Sequence, residues 1–260
     1  MPQVPNINNV TGNVYALSDI HGCIEIYNQV KAFLQPNDIV LFLGDAGDRG
    51  PQGWECIKAI YNDPQFIYLM GNHEDMLVRA MRGRHDDVDL CWYNGGGTTL
   101  AGWDDESEEV RVQWHDDLQG LPIAAIYHNQ NGDIIHMSHS GWINDHIHDA
   151  YAGAQLQLIY TLPSWETDKC LWDRMCLYDN RWAYGENEFI VHGHSPIPLC
   201  FEACDTSEEL NKWGQNPSIM YYCDCHKVDI DCGTHYTGAA CLLDLNTWDE
   251  HYFFTDERAR

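Results

Sequence analysis

Short apolar runs near the start of the chain alternate with longer stretches of helical spacing. Residues 14–18 read as a buried strand, residues 39–43 (Ile-Val-Leu-Phe-Leu) as a second and residues 66–70 as a third. Between them, residues 23–34 and 52–61 carry apolar side chains at helical intervals. Pro51 stands where a first helical turn accepts a proline. Residues 72–82 predict a third helix, ended by Gly83. This alternation predicts an α/β fold.

Downstream the pattern is less regular. Residues 106–118 are acidic and helical, and 123–127 with 134–139 form a strand pair around the turn sequence Asn131-Gly132-Asp133. Residues 148–160 predict another helix. Residues 189–192, 220–223, 228–231 and 240–244 read as late strands with few helices among them. The sheet is therefore expected to be mixed, parallel early and antiparallel late. With no internal repeat and no low-complexity linker, residues 1–260 read as one domain.

Polar clusters rich in metal-capable side chains close the early strands, where open α/β sheets place their sites. Asp19-Ile20-His21-Gly22 follows the first strand, and alternation sets Asp19 and His21 on one side, where they can share a divalent cation. Gly44-Asp45-Ala46-Gly47-Asp48-Arg49-Gly50 follows the second. There Asp45 is a candidate ligand and Arg49 offers a planar fork suited to phosphate oxygens. Gly71-Asn72-His73-Glu74 follows the third: Asn72 has an amide oxygen for a metal, and His73 can exchange protons. Ser138-His139-Ser140-Gly141 and Val191-His192-Gly193-His194-Ser195 again close strands. An isolated Asp-x-His is more often a surface or capping pair. The Gly-Asp-x-x-Asp-Arg-Gly run and the order of all five clusters are far more specific.

In these motifs the chain resembles the metallophosphoesterase superfamily and, within it, the phosphoprotein phosphatases of the bacteriophage lambda type. Asn94-Gly95-Gly96-Gly97, Trp172-Asp173-Arg174 and Asp231-Cys232-Gly233 extend the resemblance, which spans roughly residues 13–245. Ala46-Gly47, Ser195 and Cys232 depart from the usual pattern without removing a ligand. The resemblance implies two mixed β-sheets packed as a sandwich flanked by helices, with a Cys-rich insertion around 196–227. It implies two divalent metal ions, with manganese expected and iron, zinc or nickel as alternatives. Asp19, His21 and Asp45 would hold the first, Asp45 would bridge, and Asn72, His139 and His194 would complete the second. It further implies phosphomonoester hydrolysis by direct attack of a water activated between the metals, with no covalent enzyme intermediate. Arg49 and Arg174 would balance phosphoryl charge, His73 would protonate the leaving oxygen, and Asp48 would orient its ring. Arg181 is the second choice to Arg174. Glu74 is read as a helix-start contact.

Composition narrows the partners. Forty acidic residues against fourteen basic ones give a net charge of −26, or −22 with two divalent ions bound. Such a surface disfavours nucleic acid and anionic membranes. No apolar run is long enough to span a bilayer and no secretory signal opens the chain, so a cytoplasmic protein with reduced thiols is expected. The expected partner is a phosphoprotein or small phosphoester; the oligomeric state is left open. Cys200-x-x-x-Cys204 and Cys223-x-Cys225-His226 offer a structural zinc site, against the default of partly buried free thiols. His85, His115, His128, His146, His148 and His251 read as surface or loop residues, and His136 and His192 as packing or supporting groups. The leading function is a Ser/Thr or dual-specificity protein phosphatase. Its rivals are a dinucleoside tetraphosphate hydrolase and an inactive binding relative.

Overall fold

The computed structural model describes residues 9–143, 147–148, 154–179, 181–182, 184–202 and 206–255. The first part of the chain runs β1 (Val14–Leu17), α1 (Ile24–Phe33), β2 (Ile39–Phe42), α2 (Gly53–Asn62), β3 (Phe66–Tyr68) and α3 (Asn72–Ala80). Three further helices follow: α4 (His85–Tyr93), α5 (Gly97–Asp104) and α6 (Glu108–Gln119). Next come β4 (Ala124–His128), β5 (Ile134–Ser138), β6 (Leu156–Ile159), α7 (Ser164–Trp172), α8 (Met175–Tyr178) and β7 (Glu188–His192). A short 3-10 helix (Ile197–Glu202) precedes α9 (Ser207–Gln215), β8 (Met220–Tyr222), β9 (Lys227–Asp229), α10 (Thr234–Thr237), β10 (Ala239–Asp244) and β11 (Glu250–Phe254).

The strands form two mixed sheets flanked by helices, as expected for a metallophosphoesterase fold. One has the order β11-β10-β1-β2-β3, the other β6-β4-β5-β7-β9-β8. Period-two alternation divides the first sheet's side chains between two cores. Val14, Ala16, Leu41 and Ile67 face the second sheet, meeting Ala125, Tyr127, Ile135, Met137 and Val191. Tyr15, Leu17, Phe42 and Tyr68 face the helices, packing on Ile26, Val30, Ile57, Ile60 and Leu77. Burial on both faces explains why these strands read as unbroken apolar runs. Among the described residues no helix is long and apolar enough to cross a membrane.

Three expectations fail. Residues 156–159 are not helical but form edge strand β6, antiparallel to β4. The three-residue spacing of Leu156 and Ile159 imitates a helical stripe. In a strand an odd spacing places side chains on opposite faces, and Leu156 enters the inter-sheet core while Ile159 enters the outer one. The late strands are not all antiparallel: β5, β7 and β9 run parallel. The long crossover between β5 and β7 leaves room for that return. Helices are also not sparse among those late strands, since the 3-10 helix, α9 and the short α10 lie between them.

Candidate active site

Four of the six expected ligands, with Asp48 and Arg49 beside Asp45, sit on strained turns past strand ends, whereas Asn72 opens α3 and His139 has an ordinary backbone. Asp19 (φ 52°), His21 (φ 42°), Asp45 (φ 61°), Asp48 (φ 65°), Arg49 (φ 61°) and His194 (φ 72°) all have left-handed backbones. Few non-glycine residues adopt this conformation, at a cost of roughly 1–3 kcal/mol each, and such outliers gather at functional sites. Glycine is required beside them. A Cβ on Gly44 (φ +99°) would lie 2.5 Å from the Gly71 Cα and 3.0 Å from the His139 ring. A Cβ on Gly193 would collide with the Asp19 carboxylate.

The turns bring the expected residues together. Asp19, His21, Asp45, Asn72, His73, His139 and His194 are all buried. Asp45 stands at the centre. One carboxylate oxygen lies 3.6 Å from His21 Nε2 and 3.8 Å from His73 Nε2; the other lies 3.4 Å from His139 Nε2. Two groups of candidate metal-binding side chains share it: His21, Asp45 and His73, and Asp19, Asp45 and His139. Asp19 also lies 3.9 Å from His21 Nε2 and accepts the His194 backbone N–H at 3.0 Å. The Asn72 amide oxygen lies 2.8 Å from His139 Nε2 and 3.0 Å from His194 Nδ1.

Hydrogen bonds assign the tautomers. The Arg49 guanidinium lies 3.0 Å from His21 Nε2 and 2.9 Å from His73 Nε2. Arginine only donates, so both Nε2 atoms carry lone pairs. The protons then sit on Nδ1, where His21 meets the Gly47 carbonyl at 3.0 Å and His73 meets Asp48 at 2.7 Å. His139 Nδ1 likewise donates to the Leu43 carbonyl at 2.7 Å. Each ring thus presents Nε2 inward, with its other nitrogen anchored.

Electrostatics divide the site. Burial, reinforced by Asp45, pushes Asp19 up to about 7. Burial would raise Asp45 too, but His139, His73 and His21 overcome it and hold Asp45 well below the carboxylate range. Burial opposes charge on His139, yet Asp45 and Asp19 raise it to about 10. Burial keeps His21 well below its ordinary value, helped by Arg49 and His73; burial and the His139 charge do the same to His194.

This donor set fits divalent cations. Two buried carboxylates, four imidazoles and an amide oxygen face one small volume, and the buried His194 Nε2 has no partner among the described residues. Arg174 stands apart. It is exposed at the head of α8, and its charge is a minor influence on His194. Arg181 is held bidentately by Asp179 at 2.8 and 2.7 Å.

Two features were underestimated. Glu74 does contact its own helix start, through the Gly71 N–H at 2.9 Å. It also accepts from the backbone N–H groups of Asp45 at 2.7 Å and Ala46 at 2.9 Å, and from the Tyr68 hydroxyl at 2.6 Å. Asp229 and Asp231 lie buried near Asp19, each with an unpartnered oxygen among the described residues, and burial pushes both well above the carboxylate range. The Asp231-Cys232-Gly233 motif was the available signal for this pair. No described group of candidate ligands includes a cysteine, and Cys204 and His146 lie outside the described residues.

Comparisons agree with this geometry. The fold is similar to a serine/threonine phosphatase from Saccharomyces cerevisiae, with a TM-score of 0.52 and 15% identity, over 95% of this chain and 82% of that one. The chain is 27% identical over 201 residues to the asymmetrical bis(5'-nucleosyl)-tetraphosphatase PrpE of Anoxybacillus flavithermus, covering 70% of this chain and 78% of that protein. It is 32% identical to serine/threonine-protein phosphatase 2 of Salmonella typhimurium over 88 residues, 33% of this chain and 38% of that protein. The calcineurin-like phosphoesterase model matches residues 12–236, and the chain belongs to that family of metal-dependent phosphoester hydrolases.

Proposed function

We propose that the chain hydrolyses the phosphoanhydride of dinucleoside tetraphosphates, with manganese the first metal to test. The observation carrying this reading is the surround of Arg49. Its backbone N–H donates to the Gly95 carbonyl at 2.9 Å. Two and three residues earlier stand Tyr93 and Trp92, 90% and 60% exposed. His235, whose pKa burial and then Arg49 lower, packs on the exposed Tyr236 ring at 5.3 Å. Exposed rings on the segments that flank Arg49 suit nucleoside bases, which stack on aromatic faces. The longer match to tetraphosphatases than to protein phosphatases supports the same choice.

Asp19, His21, Asp45, Asn72, His139 and His194 would hold two divalent ions, which when bound polarise phosphoryl oxygens and make water a better nucleophile. The chain's own groups handle charge and protons. Arg49 turns its fork toward the phosphoryl oxygens, with Arg174 as a second cation at the rim. Once Arg49 leaves His73 Nε2 for the phosphoryl oxygens, that nitrogen is free to take up a proton and pass it to the leaving oxygen, while Asp48 accepts from Nδ1–H and fixes the ring. No side chain needs to bond covalently to phosphorus.

The −26 charge favours a second reading, dephosphorylation of a phosphoprotein, because a monoester brings less negative charge than a tetraphosphate. Rates on diadenosine tetraphosphate and on a phosphoserine peptide, measured after metal removal and manganese addition, separate the two. Faster nucleotide release is expected. Faster peptide dephosphorylation with negligible nucleotide release overturns the first reading.

A further inference from the structure

Away from the catalytic end, the outer face of the second sheet carries another convergent donor set. Ile135, Met137, Phe189 and Val191 point into the inter-sheet core, so His136 on β5 and Glu188 on β7 point the opposite way. His136 lies three residues before His139, about 10 Å along the strand. His148, expected to be a surface or loop residue, reaches this face. His136 Nε2 lies 2.9 Å and His148 Nε2 3.1 Å from the same Glu188 oxygen. Ligand atoms of all three side chains lie within 4.8 Å of one another.

We propose that His136, His148 and Glu188 form a third metal site, binding a single zinc ion outside the catalytic pair. Zinc is held by His nitrogen and carboxylate oxygen at about 2.0–2.2 Å, so neighbouring ligand atoms in a tetrahedron stand about 3.3 Å apart. The two observed separations need to open by only a few tenths of an ångström.

The surroundings prepare the ligands. Glu188 Oε1 accepts the Gly185 N–H at 3.0 Å, which aims Oε2 at both imidazoles. The Tyr184 ring stacks on His148 at 4.9 Å and 19°, fixing its plane, and His148 itself stacks on His136. Burial holds His136 below its ordinary value and therefore neutral, the form that ligates. Burial pulls Glu188 upward, but the bonds from His136, Gly185 and His148 outweigh it and keep the carboxylate ionised. The His148 side chain is 35% exposed, so water can enter as a fourth ligand. His136 Nδ1 has no partner among the described residues. A ring without that outer support binds metal roughly 10–100-fold more weakly than a supported one. Bound zinc would fasten residues 147–148 to the start of β7.

The test is zinc stoichiometry by elemental analysis after chelation, zinc chloride loading and desalting. The parent is expected to retain one more equivalent than His148→Ala and Glu188→Gln, while His148→Cys, which supplies another zinc ligand, retains the parent count. Manganese-supported activity should be equal in parent and His148→Ala, since none of these side chains lies in the catalytic cluster. Circular dichroism confirms that each variant counted is folded. Because the half-exposed His148 can be changed by two independent substitutions, a folding defect in one leaves the other to decide. Equal zinc counts in the parent and a folded His148→Ala, or loss of the extra equivalent in folded His148→Cys, overturn the proposal.

Discussion

Replacing Glu74 with glutamine should unfasten the loop that carries Asp45 while barely changing side-chain volume. Each carboxylate oxygen accepts two donors: Oε1 takes the Ala46 N–H and the Tyr68 hydroxyl, and Oε2 takes the Asp45 and Gly71 N–H groups. Glutamine offers one oxygen and one NH2. Whichever way it sits, the NH2 faces two donors. If it sits at the Oε1 position, the tyrosine hydroxyl can turn to accept, which leaves the Ala46 N–H opposed by another donor. A buried unpaired donor costs about 1–3 kcal/mol, and the remaining bonds lose their charge assistance, about half their strength. The opposing term is real, because a neutral amide is easier to bury than a carboxylate. Burial and Asp45 already push Glu74 above its usual range, so its ionised form is held at some cost. The donors outnumber that relief, and the net destabilisation is about 3 kcal/mol, or roughly 6–12 °C in Tm for a chain of this size.

The assay is urea unfolding of chelator-treated protein followed by tryptophan fluorescence, since bound metal would add its own linkage. Tyr68→Phe removes one donor only and should cost about 1 kcal/mol. A Glu74→Gln midpoint corresponding to less than about 0.5 kcal/mol, with an unchanged m-value, would refute the claim that this carboxylate holds the Asp45 loop.

Other measurements reach the same site. His73→Ala should retain the parent's manganese content yet lose roughly 10²–10⁴-fold in turnover on a substrate with a poor leaving group, and far less on p-nitrophenyl phosphate. Equal losses on both would remove His73 as proton donor. Tyr93→Ala should raise KM for diadenosine tetraphosphate by about fivefold or more, as loss of roughly 1 kcal/mol of stacking requires, and leave p-nitrophenyl phosphate unaffected. Burial pushes the thiols of Cys23, Cys91 and Cys170 up to about 12, whereas Cys225 is exposed. Iodoacetamide at pH 8 should therefore label Cys225 well before those three, and comparable labelling by peptide mass spectrometry would contradict the burial.

Asp19, Asp45 and Asn72 were legible because each follows a strand that must be apolar on both faces, and His139 and His194 because each follows a strand whose inner face is apolar. At Asp19, Asp45 and His139 a run of buried residues ends abruptly in a charged or ionisable one beside a turn. The strand length then sets the end of the sheet at which the side chain emerges. The two groups met at Asp45 because parallel β1, β2 and β3 deliver their ends to one edge. Signals that depend on distant pairing were illegible. α5 has no strong apolar stripe to announce it, burying only Thr99 and Leu100. Glu74 reads as an ordinary first-turn acid until the β2 loop folds over it.

The outer cluster shows the limit most sharply. His136 and Glu188 are 52 residues apart and meet only because parallel β5 and β7 pair Ile134 with Glu188 and His136 with Ile190. That register places Glu188 diagonally beside His136 on one face, within reach of a long side chain. A one-residue slip of β7 would turn Glu188 into the inter-sheet core and bring Phe189 out in its place. The same register sends His139 and His194 beyond the two strand ends to the catalytic cluster, where their rings lie 4.9 Å apart. One strand pairing therefore positions both donor sets. A substitution that shifts β7, such as a proline at Ile190, whose backbone N–H donates to the His226 carbonyl at 2.8 Å, should impair catalytic metal binding and the outer zinc site together. His148→Ala should impair the outer site alone.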